Sequence, residues 1–128
     1  MFLNKECLGR SEFLFSLYGD ALSFEEIDVQ EIKFGWDGPI VRLLISLKDF
    51  PLSPPAKWRG LNVVQVELSI FPLHEVNLSS FGRGNKCNLT IEGCPGGDTL
   101  IVQLTGESTA SFKTTTVTVD KVSAYLRE

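Results

Sequence analysis

Residues 36–70 read WDGPIVRLLISLKDFPLSPPAKWRGLNVVQVELSI, and the rest of the chain is organised around this stretch. It contains two strongly apolar runs, Ile40–Leu47 and Val63–Ile70. Alternate residues of each run are apolar, which is the period of a β-strand with a buried face. Asp37-Gly38 precedes the first run, and Asp-Gly between two β-type runs is a strong hairpin signal. The stretch therefore predicts a hairpin turn and two core strands, the first of them central in its sheet.

The segment between the two runs, residues 48–60, contains prolines and a tryptophan. Residues before proline favour extended backbone, so we expect an extended connector and no helix. Its length predicts a crossing between two sheets or over a sheet edge. Trp58 in this connector and Trp36 in the preceding turn could each be an interface anchor. The interpretation that we favour for both is a cap on the open end of a sandwich core.

Three further features of local structure follow from the pattern. In the first predicted strand, Phe24–Phe34, the apolar positions change face near Gln30–Glu31, and in the last strand they change face at Asp120–Lys121. A strand cannot bury both sets on one face unless an extra residue intervenes, so we expect a β-bulge at each place. For the first strand, burial on both faces at one end is the alternative. Near the N-terminus, Ser11 is expected to cap a short helix that Gly19 ends.

Seven or eight short strands, separated by turn signals, account for most of the chain. This pattern predicts a mainly β protein, an antiparallel β-sandwich or a curled sheet, with one short N-terminal helix. The length of 128 residues predicts a single domain over 1–128. In this division an N-terminal segment, 1–20, holds the helix, and the β-rich body spans 24–126.

The composition argues against several classes of partner. The net charge is −4 and the 12 lysines and arginines are scattered, whereas a nucleic-acid binder carries a basic patch. No apolar run of about 18 residues is present, so no membrane span is expected. The N-terminus lacks an apolar segment of secretory length, which predicts a cytoplasmic protein. Three cysteines without a CxxC pair, and one histidine, favour neither a disulfide framework nor a zinc site.

Carboxylates are concentrated between Asp20 and Glu31. Paired carboxylates could perform acid–base chemistry. However, Glu26 and Asp28 fall on the strand face opposite Ile27 and Val29, so we interpret them as part of a solvated face.

Two other groups have the side chains of catalytic sites. The segment Gly93–Asp98 lacks the lysine and the following helix of a phosphate-binding loop, and is predicted to be a hairpin loop. A catalytic triad could be formed from the side chains of Ser23, His74 and Asp98, but no GxSxG elbow holds the serine. We therefore predict no catalytic residue, no metal site and no cofactor.

Three stretches carry a family resemblance: FLFSLYGDALSFEE at 13–26, FGWDGPIVRLLISLKDFP at 34–51 and PPAKWRGLNVVQVELS at 54–69. They resemble the immunity-protein family numbered 50 of bacterial polymorphic toxin systems, to which the C-terminal KVSAYLRE is also similar, more weakly. The resemblance implies a mainly β fold and a non-enzymatic protein. Such a protein binds a cognate toxin domain in the cytoplasm of the producing cell and blocks it. The family has no catalytic residues to transfer.

For contacts with a toxin we predict Trp36 and Asp37 at the hairpin tip and Glu26 on the exposed first strand, because of their exposure and residue type. The alternative function is a β-sandwich that binds a small molecule or a carbohydrate. That alternative requires a concave apolar pocket lined by Trp36 or Trp58, with convergent polar groups. A hydrolase would require His74 close to a serine or a carboxylate in a cleft.

Overall fold

The computed structural model describes residues 7–82, 84–93 and 99–128. Within them, helix α1 spans Glu12–Tyr18, and single 3₁₀ turns span Gly19–Ala21 and Ala56–Trp58. The strands are β1 Ile27–Gly35, β2 Ile40–Ser46, β3 Val63–Phe71, β4 Glu75–Ser79, β5 Lys86–Glu92, β6 Leu100–Gly106, β7 Thr109–Thr114 and β8 Thr116–Tyr125.

The eight strands described form one antiparallel sheet in the order β4-β7-β6-β5-β1-β2-β3-β8. The sheet is open, and it consists of two four-stranded halves. The halves are joined where β1 pairs with β5. This pairing consists of two residue pairs, Ile27–Cys87 and Asp28–Lys86. The predictions of a mainly β protein and of a central position for β2 are confirmed.

Two short links show that this sheet is curled. A single residue, Thr115, separates β7 from β8, although these are the second and the last strands across the sheet. Residues 72–74 likewise join β3 to β4, which lie near opposite edges. The two links run side by side, and the Thr114 hydroxyl donates a hydrogen bond of 2.8 Å to the Pro72 carbonyl. The curl brings the two halves together around one core, and the ring of Phe34 in β1 lies 6.4 Å from the buried ring of Phe112 in β7.

Both predicted bulges are present. The pairing of β1 with β2 shifts between Val29 and Glu31. The pairing of β3 with β8 shifts at Asp120, which lies opposite no residue of β3 in the register. The extra residue at each bulge reverses the alternation of the side chains that follow it. Apolar residues before and after the bulge can therefore lie on the same face of the strand. Between these irregular strands, the inward face of β3 is regular, and Val64, Val66, Leu68 and Ile70 are each 0% exposed.

The connector between β2 and β3 differs from its prediction in two ways. Since β2 and β3 are neighbours in the sheet, residues 48–60 form the long loop of a hairpin and do not cross between sheets. The connector also contains one 3₁₀ turn, which follows Pro55 and ends at Trp58. Trp58 is 4% exposed, so the predicted cap on the core is confirmed for this residue.

The cap of the N-terminal helix and the start of the first strand also differ from their predictions. Ser11 precedes α1, but its hydroxyl donates to the Leu8 carbonyl at 2.8 Å instead of capping the helix. Gly19 follows the last helical residue at φ 57°, as expected for a helix stop. β1 begins at Ile27 and not at Phe24, because Glu26 has a φ of 51° and breaks the extended backbone.

Asp28 is not on a solvated strand face as predicted. Its side chain is 15% exposed and lies 3.1 Å from both Lys86 Nζ and Arg127 Nη1. Arg127 also donates a hydrogen bond of 2.7 Å to the Tyr125 hydroxyl. These contacts tie the end of the chain to the junction of the two half-sheets.

Candidate partner-binding surface

The turn between β1 and β2 carries Trp36 into solvent. β1 and β2 remain paired as far as Gly35 and Ile40, so the predicted hairpin turn is confirmed. Trp36 is 96% exposed. The prediction that it caps the core is therefore wrong, because the turn projects past the paired ends of the strands instead of folding over them. Asp37, beside it, is also exposed.

A concave surface of about 500 Å³ lies against this turn; we call it the hairpin-tip groove. The link between β3 and β4 forms its other wall, and this link is held to the turn by a 2.8 Å bond from the Leu73 N–H to the Pro39 carbonyl. Phe34 and Val76 remain 47% and 37% exposed. The groove is lined by Phe34, Gly35, Trp36, Pro39, Leu73, His74, Glu75 and Val76.

A second cavity, of about 280 Å³, lies further along β1 and β4. Its walls include Ile32 of β1, Leu78 of β4 and Phe81 just after β4. Leu78 and Phe81 are 45% and 70% exposed. The cavity lies where β1 leaves β5 after the bulge at Gln30, so the two half-sheets diverge there.

We call these two concavities together the β1–β4 face. Nine large apolar side chains are exposed among the described residues, and five of them belong to this face. The five are Phe34, Trp36, Val76, Leu78 and Phe81. Contiguous exposed apolar surface, rimmed by polar residues, marks a site of interaction with another molecule.

The rim of this face carries carboxylates. Asp37 and Glu75 are exposed, and Glu75 lines the hairpin-tip groove. Glu31 lines the second cavity, and its 3.9 Å ion pair with Lys33 joins exposed side chains, so it contributes little to stability. An apolar centre within a charged rim is the arrangement found at protein–protein interfaces.

Glu26, the third residue predicted to contact a partner, lies at the far end of β1. The nine residues of β1 separate it from Trp36, which at about 3.3 Å per residue places them roughly 30 Å apart. Glu26 precedes the strand, and its carboxylate is 2.8 Å from Lys48 Nζ. The structure therefore brings Trp36 and Asp37 together and separates Glu26 from both.

We expect the pKa of Glu26 to lie below its ordinary value of 4.5, because Lys48 donates a hydrogen bond to the carboxylate and attracts its charge. Since the pKa is lowered in the folded state, this ion pair stabilises the fold above pH 4.5, and the contribution is lost as the pH falls through the folded pKa. An NMR titration of the Glu26 side chain measures the shift. Lys48→Met should return the pKa towards 4.5. Lys86→Met should raise it less, because Lys86 is the weaker cause, and an unchanged pKa in Lys48→Met would contradict the assignment.

The residues of the hypothetical triad do not meet. Ser23 precedes β1, whereas His74 follows β3 at the opposite end of the sheet. The His74 Nε2 atom is 3.2 Å from the Thr115 hydroxyl, and the Ser23 hydroxyl accepts a bond from the Glu25 N–H. Asp98, with the rest of the predicted loop 94–98 that includes Cys94, lies outside the described residues.

Cys7 and Cys87 are buried free thiols. In the parts of the chain that the structure describes, no group of three or more His, Cys, Asp or Glu side chains could hold a metal ion. No helix in those parts is long and apolar enough to cross a membrane.

Sequence reasoning did not identify four residues of the β1–β4 face: Phe34, Val76, Leu78 and Phe81. The alternation at Val76 and Leu78 indicates a strand, but not that its apolar face is uncovered. No local signal identifies them: the changed parity of β1 indicates a bulge, but the apolar residues that follow the bulge in β8, Val122 and Ala124, are half-buried.

The protein is a curled antiparallel sheet with an exposed apolar face beside the turn between β1 and β2. A family model described as Immunity protein 50 matches residues 10–125, and the chain belongs to this family. Searches of curated proteins and of solved structures found no match. Immunity proteins are in general non-enzymatic, and the family implies a toxin as partner.

Proposed function

We propose that this protein is a single-domain immunity protein that binds a cognate toxin domain in the cytoplasm and neutralises it without catalysis. The observation that carries the proposal is the family match over residues 10–125. The β1–β4 face supports it, since an inhibitor that acts by binding needs an exposed apolar surface and no reactive cluster.

We place the toxin on the β1–β4 face, with Trp36 as the anchor and Asp37 on the rim. Aromatic residues surrounded by polar ones dominate the affinity of protein interfaces. An interface of ordinary size buries about 800 Å² on each partner, which is a patch of about 16 Å radius. A patch centred on Trp36 covers the hairpin-tip groove but ends before Glu26. Glu26 would contact the toxin only if the interface extended along the whole of β1.

Neutralisation then follows from occupancy alone. A toxin covered by a folded protein loses access to its substrate, provided that the bound surface includes or overhangs the toxin's active site. The inhibitor is consumed stoichiometrically, so protection requires as many immunity molecules as toxin molecules. The net charge of −4 would accelerate association with a basic toxin.

Binding of a small molecule or a carbohydrate is the second candidate function, and the hairpin-tip groove is the observation that favours it. The groove is lined by Trp36, with His74 and Glu75 as polar groups. It fits this function less well, because a Trp36 side chain that is 96% exposed forms a rim and not an enclosing wall.

Co-expression tests the proposed function. The gene that neighbours this one upstream should encode a secreted protein with a C-terminal toxin domain. We expect that this domain stops the growth of a host cell and that co-expression of the present chain restores growth. The purified chain should bind a catalytically inactivated toxin domain with 1:1 stoichiometry in calorimetry.

The controls are an empty vector and an immunity protein from another family, neither of which should restore growth. If the chain neither binds the toxin domain nor protects the host, the proposal is wrong. Binding of a monosaccharide or oligosaccharide panel in the same calorimeter, without toxin binding, would favour the second function instead.

A further inference from the structure

The two edges of the sheet are treated differently. At the β8 edge, Gly9 forms a bridge to Thr118. Its N–H donates to the Val117 carbonyl and its carbonyl accepts from the Val119 N–H, both at 2.8 Å. The bulge at Asp120 interrupts the same edge further along. A covering segment and a bulge are two devices that prevent an edge strand from pairing with other chains.

In the part of the chain that the structure describes, the opposite edge, β4, has neither of these devices. Glu75–Ser79 pairs with β7 on one side, all five residues are exposed, and the strand contains neither proline nor lysine. Its five pairs with β7 run without a register shift. In an antiparallel strand, alternate residues direct both N–H and C=O away from the neighbour, so about two or three residues of β4 offer unpaired main-chain groups. An edge of this kind is a template for an added strand.

The side chains of β4 provide a reason for such an addition. Val76 and Leu78 share one face of the strand and line the hairpin-tip groove and the second cavity, respectively. β1 lies across from them and contributes Ile32 and Phe34 to the same walls. A strand added beside β4 would extend the row of Val76 and Leu78, with alternate side chains directed to the β1–β4 face.

We propose, building on the proposed function, that the toxin binds by adding an extended segment to the free edge of β4 as a ninth strand. The segment spans about five residues, the length of β4. Its inward residues are apolar and cover Phe34, Val76 and Leu78. Main-chain bonds to β4 set its register, and the apolar side chains set its specificity.

The charges on this surface favour a basic segment from a partner over a second copy of the chain. Asp37 and Glu75 flank the groove, and the whole chain carries −4. A second copy of the chain would bring the same net charge of −4 to this edge. Like charges across an interface oppose association, whereas lysine or arginine on the segment's outward positions would be attracted.

Amide hydrogen exchange, resolved by residue in NMR, tests main-chain pairing directly. The probe is the catalytically inactivated toxin domain encoded beside this gene, added to the ¹⁵N-labelled full chain. We expect the edge-facing amides of 75–79 to exchange at least about tenfold more slowly in the complex. The amides of β7, which already has a strand on each side, should change less.

A pair of matched variants provides an affinity measurement. Leu78→Thr retains a residue that favours strands but removes an apolar contact, and it should weaken binding about tenfold. Leu52→Thr is the matched control, since Leu52 is 101% exposed in the connector between β2 and β3. Its affinity for the toxin domain should equal that of the unmodified chain. Circular dichroism of both variants verifies that they are folded.

Three outcomes would overturn the inference. If the chain binds the toxin but the β4 amides exchange unchanged, strand addition is wrong while the proposed function stands. If the chain does not bind the toxin at all, the proposed function fails and this inference fails with it. If the β4 amides become protected in the isolated chain as its concentration rises, with a dimer in size-exclusion chromatography, the occupant is a second copy and not a toxin.

Discussion

We expect Trp58→Ala to lower the free energy of unfolding by about 3–5 kcal/mol, the cost of removing a large buried aromatic side chain. Trp58 is 4% exposed and lies at the end of the 3₁₀ turn in the connector between β2 and β3. Its ring packs edge-on against Phe13 of α1, with centroids 5.9 Å apart, and against Phe50 at 6.2 Å. The alanine variant would leave a cavity and also release α1, a two-turn helix that is too short to be stable alone.

Urea unfolding followed by far-ultraviolet circular dichroism measures this loss without dependence on tryptophan emission. Trp58→Phe should recover part of the stability, because it retains an aromatic ring between Phe13 and Phe50. The matched control is Trp36→Ala, the same substitution at a side chain that is 96% exposed. A loss of less than about 1 kcal/mol in Trp58→Ala would contradict the role of Trp58 in the core.

The second large effect is on binding: we expect Trp36→Ala to weaken the affinity for the toxin domain about 30- to 1,000-fold. This range corresponds to the roughly 2–4 kcal/mol that a tryptophan at the centre of an interface contributes. Free energy of unfolding should change by no more than about 0.5 kcal/mol, since no core contact is lost. Calorimetric titration of the inactivated toxin domain measures the affinity, and urea unfolding verifies the stability.

Asp37→Ala, on the rim beside Trp36, should weaken binding less and mainly slow association, because exposed rim charges act on the rate of encounter. Glu26→Ala measures how far the interface extends, since Glu26 is roughly 30 Å along β1 from the tip. Unchanged affinity in Trp36→Ala would place the toxin on another surface. Together the two tryptophan variants test stability and recognition separately, because Trp58 is buried in the core and Trp36 is exposed at the hairpin tip.

Local pattern predicted most of the sheet. The alternation of Val64, Val66, Leu68 and Ile70 predicted an inward face that is 0% exposed, and Asp37-Gly38 predicted the turn before β2. The two bulges were also predictable, because parity is a property of consecutive residues and a change of parity has a local geometric cause. Each of these features depends on residues that are close in the chain.

The features that were predicted wrongly depend on residues that are distant in the chain. The connector 48–60 was expected to cross between sheets, since its length does not reveal that β2 and β3 pair as neighbours. Asp28 was expected in solvent, but it meets Lys86 and Arg127, which lie 58 and 99 residues further along the chain. Trp36 was expected on the core, as Trp58 was, because the prolines and turns near both tryptophans look alike in sequence.

The amino-acid order thus determined the strands, their inward faces, the turn at 37–38 and the membership of an immunity-protein family, because hydrophobic period, turn chemistry and family motifs are all read from neighbouring residues. The tertiary structure alone decided that no described residue covers the β4 edge, that Gly9 covers the other edge, and that Phe34, Trp36, Val76 and Leu78 form one apolar face. The physical reason is that exposure depends on which strands the curl of the sheet brings together. Strand pairing across the whole chain sets that curl, and no local pattern encodes it.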